Sequence, residues 1–234
     1  MTSPGFHPTR WTLVLRARGE GIEAKAALSD LCAGYYEPVV GFLRRDGRKE
    51  DAARELAHAF FESVLAGGLG TPEPGRGRFR SYLLGALKHF LAKRRDAERA
   101  GKRGGGAIQV PLMAESGSSP GLPVSGTHDD TLAFDRAWAL AVIGRALASL
   151  EVEHVAKQER FTTLKPWLDG GGGKLSQADA AEVLGMSETA VKVAIHRLRA
   201  RFRELIRAEI AATVNEPDEI DAELRHLVNV ASAG

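Results

Sequence analysis

Residues 176–203 read SQADAAEVLGMSETAVKVAIHRLRARFR, and the local architecture follows from this stretch. Ser176 and Asp179 have the spacing of a capping box, which opens a short helix. Gly185 can take the left-handed turn that ends it. Ser187 is a good N-cap for a second helix. Val191, Ile195, Leu198, Phe202 and Leu205 recur at spacings of four, three, four and three, so they form one buried stripe. At about 100° per residue, Thr189, Val193, His196, Arg197 and Ala200 point the opposite way. Lys192, Arg199, Arg201 and Arg203 flank that outward face. A basic face alone is ordinary solvated surface. Here it sits on the second helix of a pair, braced by a first helix with small Ala180 and Ala181. Helix, turn, helix and cations together are the means by which a protein enters a DNA major groove.

Working outward, the charge is unevenly spread along the 234 residues, although the formal net charge is only +2. Arg76 to Arg103 holds ten Lys and Arg against two acids, and Lys192 to Arg207 holds six against one. From Glu209 to Arg225 the balance reverses, with six acids and one Arg. Two basic segments imply two contacts with a polyanion, and an acidic tail implies something that avoids it. The single cysteine, Cys32, excludes an intrachain disulfide and fits a reducing cytoplasm. Its place in an apolar helical stripe marks it as a packing thiol. The N-terminus lacks a basic-then-apolar signal pattern. No apolar run approaches the roughly 20 residues of a membrane helix, so no membrane insertion is expected.

Leu28, Leu31, Cys32, Tyr35, Val39 and Phe42 repeat with helical period, and Asp46-Gly47 ends that helix. Leu56, Phe60, Phe61 and Val64 predict a second helix from near Asp51, stopped by Gly67-Gly68. A Gly- and Pro-rich loop, Gly67 to Gly77, follows. Phe79, Leu83, Leu87, Phe90 and Leu91 mark a third helix that runs into Lys93-Arg94-Arg95. Between Gly104 and Asp135 there is no Lys or Arg, and residues 116–121 (SGSSPG) have the composition of a flexible linker. Trp138, Val142, Ile143, Leu147 and Leu150 restart a helix; Phe161, Leu164, Trp167 and Leu168 predict another, broken by Gly170 to Gly173. No useful strand alternation is present. The expectation is an all-α chain of two small helical domains. The first spans 1–103, the linker 104–131, the second domain 132–208 and an acidic extension 209–234. Ile220, Leu224, Leu227 and Val228 give the extension a helical stripe. We expect it to dock on the second domain, with an acidic gate competing with DNA for the basic helix as the alternative.

Other signals fail on spacing. Gly170-Gly171-Gly172-Gly173-Lys174 is no phosphate loop, because Leu168 stands at the first required glycine and Leu175 where Ser or Thr should follow Lys. The seven histidines have no metal-ligand spacing among themselves or with Cys32. No nucleophile-and-base arrangement is legible. The chain is therefore expected to be no enzyme and to need no metal or cofactor.

The runs Leu184-Gly185-Met186-Ser187, Thr189-Ala190-Val191-Lys192 and His196-Arg197-Leu198-Arg199 resemble the second domain of bacterial sigma factors of the extracytoplasmic-function (ECF) type. Leu56 to Phe61 and Phe79-Arg80-Ser81-Tyr82-Leu83-Leu84 resemble the first domain of that family. The resemblance reaches to about Ala211. Ala212-Thr213-Val214 and Glu223-Leu224-Arg225 are similar to a subgroup with a C-terminal extension. The resemblance implies core RNA polymerase and promoter DNA as partners, with an anti-sigma factor or a Ser/Thr kinase as a regulator.

On that resemblance the second helix reads the minus-thirty-five element. Thr189, Lys192, Val193, His196 and Arg197 face base edges, and Arg199, Arg201 and Arg203 hold phosphates; His196 is an alternative phosphate donor. Arg and Lys pair well with guanine, and Val suits a thymine methyl. The minus-ten element must become single-stranded, which needs cations along the backbone and aromatic platforms for bases. Arg78, Arg80, Lys88, Lys93, Arg94 and Arg95 supply the track. The Gly67 to Gly77 loop falls where the family captures a base. Tyr82 stands where the family has Trp, either stacked on a base or packed in the core, and His89 where it has Asn.

The polymerase-binding set is Arg54, Glu55, His58 and Phe61. Where the family carries acids before Leu56, this chain reads Ala52-Ala53-Arg54-Glu55, and His58 replaces a Gln. Arg54 then adds repulsion toward a basic polymerase surface, which Glu50 and Asp51 offset. Ser63 is a candidate phosphosite that would restore negative charge. The competing expectation is a stand-alone transcriptional regulator whose first half senses a signal or dimerises.

Overall fold

The computed structural model describes residues 22–67, 79–103, 128–168, 175–214 and 218–232. Among these residues the chain is all-α, with no strand. Helix α1 (Ile22–Arg45) runs through Pro38. A mid-helix proline removes a hydrogen bond and crowds the preceding turn, but buried Tyr35, Val39, Val40 and Leu43 hold the helix on either side of it. Gly47 ends α1 at φ +90°: its N–H donates to the Arg44 carbonyl, and the Arg48 N–H donates to that of Leu43. These two hydrogen bonds satisfy carbonyls that the helix end would otherwise leave open. Helix α2 (Glu50–Leu65) buries Leu56, Phe60, Phe61 and Val64, and Gly67 follows its end at φ +75°. Helix α3 spans Phe79–Arg103.

Helix α4 runs continuously over His128–Glu153. The expected helix through Phe161 and Trp167 is instead broken into a 3₁₀ turn (Val155–Lys157), α5 (Gln158–Leu164) and a second 3₁₀ turn (Lys165–Trp167). The second break falls at Pro166, which lacks the N–H that an α-helical hydrogen bond would need. Then come α6 (Gln177–Leu184), α7 (Glu188–Ala211) and α8 (Glu219–Ser232). No helix among the described residues is long and apolar enough to cross a membrane.

The chain folds as two compact units whose borders differ from the expected segmentation. Unit 1 comprises residues 1–141 and 212–234, and unit 2 comprises 142–211. The first half of α4 therefore belongs to unit 1 and its second half to unit 2. Gly104 to Thr127, where the linker is expected, lies outside the described residues.

Unit 1 is held by aromatic contacts between helices. Tyr35 meets Phe79 edge-on at 5.1 Å, Phe60 meets Phe90 at 5.6 Å, and Phe42 meets Phe134 at 6.2 Å. Cys32 is buried as expected, and loss of solvent pushes its thiol pKa up to about 12. The extension forms α8, which belongs to unit 1 and meets both Arg80 and, from the segment expected in the second domain, Asp135 and Trp138. Its Ile220, Leu227 and Val230 are buried, and its Glu223 is 2% exposed. Glu223 finds there a buried partner, Arg80.

Unit 2 has its own core of Leu150, Phe161, Leu164, Trp167, Ala180, Ala181, Val191, Ala194, Ile195 and Leu198. Phe202 and Leu205 pack against it, so the whole expected stripe of α7 faces inward.

Candidate nucleic-acid interface

The α6–turn–α7 pair is specified by local chemistry. Ser176 Oγ accepts from the Asp179 N–H at 3.1 Å, and the Asp179 carboxylate accepts from the Ser176 N–H at 3.0 Å. These reciprocal bonds close the capping box, and the hydrogen bonds from Ser176 hold the Asp179 carboxyl below its ordinary pKa. Gly185 sits at φ +60°, where its N–H reaches Glu182 and the Met186 N–H reaches Ala181. Ser187 Oγ accepts from the Ala190 N–H at 3.2 Å and caps α7.

With its stripe buried, α7 presents Thr189, Lys192, Val193, His196 and Arg197 to solvent, all of them exposed. Val193 is 45% exposed, an apolar side chain displayed between cations. Arg203 is also exposed on the next turns.

Two cations assigned to phosphates have other positions. Arg199 is half-buried and its Nε donates to the Trp167 carbonyl at 2.7 Å. Arg201 grips Glu153 with Nε and Nη2, at 2.9 and 2.7 Å, and donates from Nη1 to Glu204 at 2.8 Å. That grip raises the Arg201 pKa, and Arg201 in turn lowers that of Glu153. Arg199 and Arg201 thus brace α7 against the segments before it. What separates them from Arg203 is the acid or carbonyl that the fold brings opposite from outside α7, Glu153 for Arg201 and Trp167 for Arg199.

The first basic segment divides more sharply. Arg78 and the Gly68 to Gly77 part of the expected base-capturing loop lie outside the described residues. Arg80, expected on the phosphate track, is buried. Its Nε meets Asp135 at 2.8 Å, its Nη1 donates to Glu223, and its guanidinium carbon lies 4.4 Å from the centre of the Trp138 ring. His226 Nε2 lies 2.8 Å from the other Asp135 oxygen. Sequence reasoning did not find this cluster, because Arg80, Asp135, Glu223 and His226 lie on three helices.

Tyr82 is half-buried and packs 6.0 Å from Phe79, and burial raises its pKa to about 12; the core alternative describes it better than an open platform. Lys88 is half-buried, and its Nζ has no hydrogen-bond partner among the described residues. His89, Lys93, Arg94 and Arg95 are exposed. Arg94 lies 3.5 Å from Glu98, and Arg95 reaches both oxygens of Asp46 at 2.7 and 2.9 Å.

At the expected polymerase surface, Arg54 pairs with Glu50 at 2.7 Å and Glu37 at 3.2 Å. Its positive charge is therefore met within the fold. Glu55 is exposed; His58 is exposed too, stacked on Tyr36 with 3.0 Å between Nε2 and the phenol oxygen. Phe61 is 8% exposed and packs in the core. Ser63 is half-buried, which disfavours the dianionic phosphate proposed for it.

Among the described residues, no group of three or more His, Cys, Asp or Glu is placed to hold a metal ion. Comparisons with protein families, with curated proteins and with solved structures returned no match.

Proposed function

We propose that the protein is a promoter-recognition subunit of the ECF sigma type, which engages core RNA polymerase and reads an upstream DNA element with α7. One observation carries the reading: the exposed row Thr189, Lys192, Val193, His196 and Arg197, on a helix whose opposite stripe is buried. Cations suit guanine O6 and N7, and the displayed Val193 suits a thymine methyl. The braces at Arg199 and Arg201 favour this use, since base reading demands a helix held in fixed orientation. Among the described residues, exposed His89, Lys93, Arg94 and Arg95 on α3 are candidates for a second DNA contact.

The stand-alone regulator is the second reading. Burial of Phe61 and Arg80 favours it, since both residues leave the surfaces that polymerase and promoter would need. Co-elution with core polymerase, followed by selection of bound duplexes from a random library, tests the two together. A ternary complex on a two-element site supports the first reading. Binding to an inverted repeat as a dimer, without affinity for polymerase, supports the second and overturns the first.

A further inference from the structure

We propose that helix α8 is an internal stand-in for nucleic acid: the Glu223 carboxylate keeps the Arg80–Trp138 site of unit 1 closed, and release of α8 opens that site to single-stranded nucleic acid. The proposal rests on the reading of α3 as a DNA-binding helix and supplies a regulation for it.

A guanidinium lying over an indole is an apparatus for a phosphate beside an unstacked base. Arg80 and Trp138 have that arrangement, at 4.4 Å. Asp135, on α4, takes the Nε edge of Arg80. The Nη1 edge is taken by Glu223, an anion supplied by α8. Release of α8 leaves Arg80 oriented by Asp135 with its Nη1 edge open.

Charge favours the same competition. Residues 79–103 carry eight Lys and Arg against two acids, whereas residues 218–232 carry four acids against one Arg. A polyanion is drawn to α3 by the field that draws α8. The docked helix is also removable in kind. A 14-residue helix has marginal stability by itself in water, so its order depends on docking. Trp138 Nε1 in the same cluster is buried with no hydrogen-bond partner among the described residues, an unmet donor. Nucleic acid offers acceptors along its whole length.

The test measures fluorescence anisotropy of a labelled oligothymidylate of about 20 nucleotides, a length that spans one or more single-strand sites. The full chain is compared with Glu223→Gln and with a chain ending at Val214. Shortening is expected to tighten single-strand binding at least about tenfold. Glu223→Gln is expected to give part of that gain, and Arg80→Ala in the shortened chain to cancel it. Adding a peptide of residues 215–234 in trans is expected to restore the weak binding. An affinity unchanged within about twofold on shortening overturns the proposal. Loss of the helical circular dichroism of unit 1 on shortening also overturns it, because α8 would then be a structural part of the unit. A parallel titration with duplex separates the two levels. Duplex binding without a single-strand gain removes the clasp alone; binding of neither nucleic acid by any chain removes the DNA-binding reading as well.

Discussion

Side chains of one chemical type have been sorted here by what the fold sets against them. Arg197 and Arg201 lie one turn apart on α7, yet Arg197 is open to solvent and Arg201 is clamped to Glu153 and Glu204. Lys192→Ala with Arg197→Ala is expected to remove sequence selectivity, at about 1–3 kcal/mol of base discrimination for each lost contact. Thermal stability should be nearly unchanged. Selection from a random duplex library checks the first outcome and a melting curve the second. Arg203→Ala, by contrast, should weaken all duplexes alike and lower the slope of log K against log salt by about 1. Titration gives a further prediction. Burial raises the Cys32 thiol from 9.0 to about 12, and burial together with the nearby thiol raises the Tyr82 phenol from 10.0 to about 12. In both, the unfolded state loses its proton first. The stabilising contribution is therefore complete below about pH 9 and falls as pH rises toward 12, by up to about 1.4 kcal/mol per pH unit for each group. Urea midpoints measured across that range should drop, and Cys32→Ala with Tyr82→Phe should flatten the decline.

At the scale of elements, caps and turns set where helices begin and end. Ser176→Ala is expected to cost about 1 kcal/mol by opening the capping box of α6. Gly185→Ala meets open space but forces a Cβ into the left-handed region at φ +60°, and a cost of about 1 kcal/mol follows from strain alone. Urea unfolding checks both, and amide exchange in 177–184 should quicken in each variant. The capping box, the glycine stop and the α7 stripe were legible because each depends on residues within about two turns. The ends of α1 at Gly47 and of α2 near Gly67 were legible for the same reason. Two features ran against local propensity. Helix α1 continues through Pro38 because buried neighbours outweigh the lost bond. The segment 155–168 divides around Pro166, where a single helix was expected from the apolar spacing of Phe161, Leu164 and Trp167.

For the whole molecule the buried cluster of Arg80, Asp135 and Glu223, with half-buried His226 beside it, matters most. Arg80→Met leaves two carboxylates facing each other in a buried site, and removing one partner of such a set costs about 3–5 kcal/mol. The expected response is local: amides of 219–232 should exchange far faster, while those of α1 and α2 keep their protection. Uniform loss of protection throughout unit 1 would show that α8 opens only with the unit itself. Sequence alone determined the helical class, the position of most helix ends, the buried thiol and the outward residues of α7. These rest on capping chemistry and on a period of 3.6 residues, both read within a few turns. Only the tertiary structure decided that α8 belongs to unit 1, that Phe61 and Arg80 are buried, and which partners Arg199 and Arg201 find. A cation's partner is set by long-range contact: Glu223 stands 143 residues from Arg80, and Glu153 stands 48 residues from Arg201. No local pattern encodes a pairing across such distances, so the same arginine reads as surface until the chain returns to meet it.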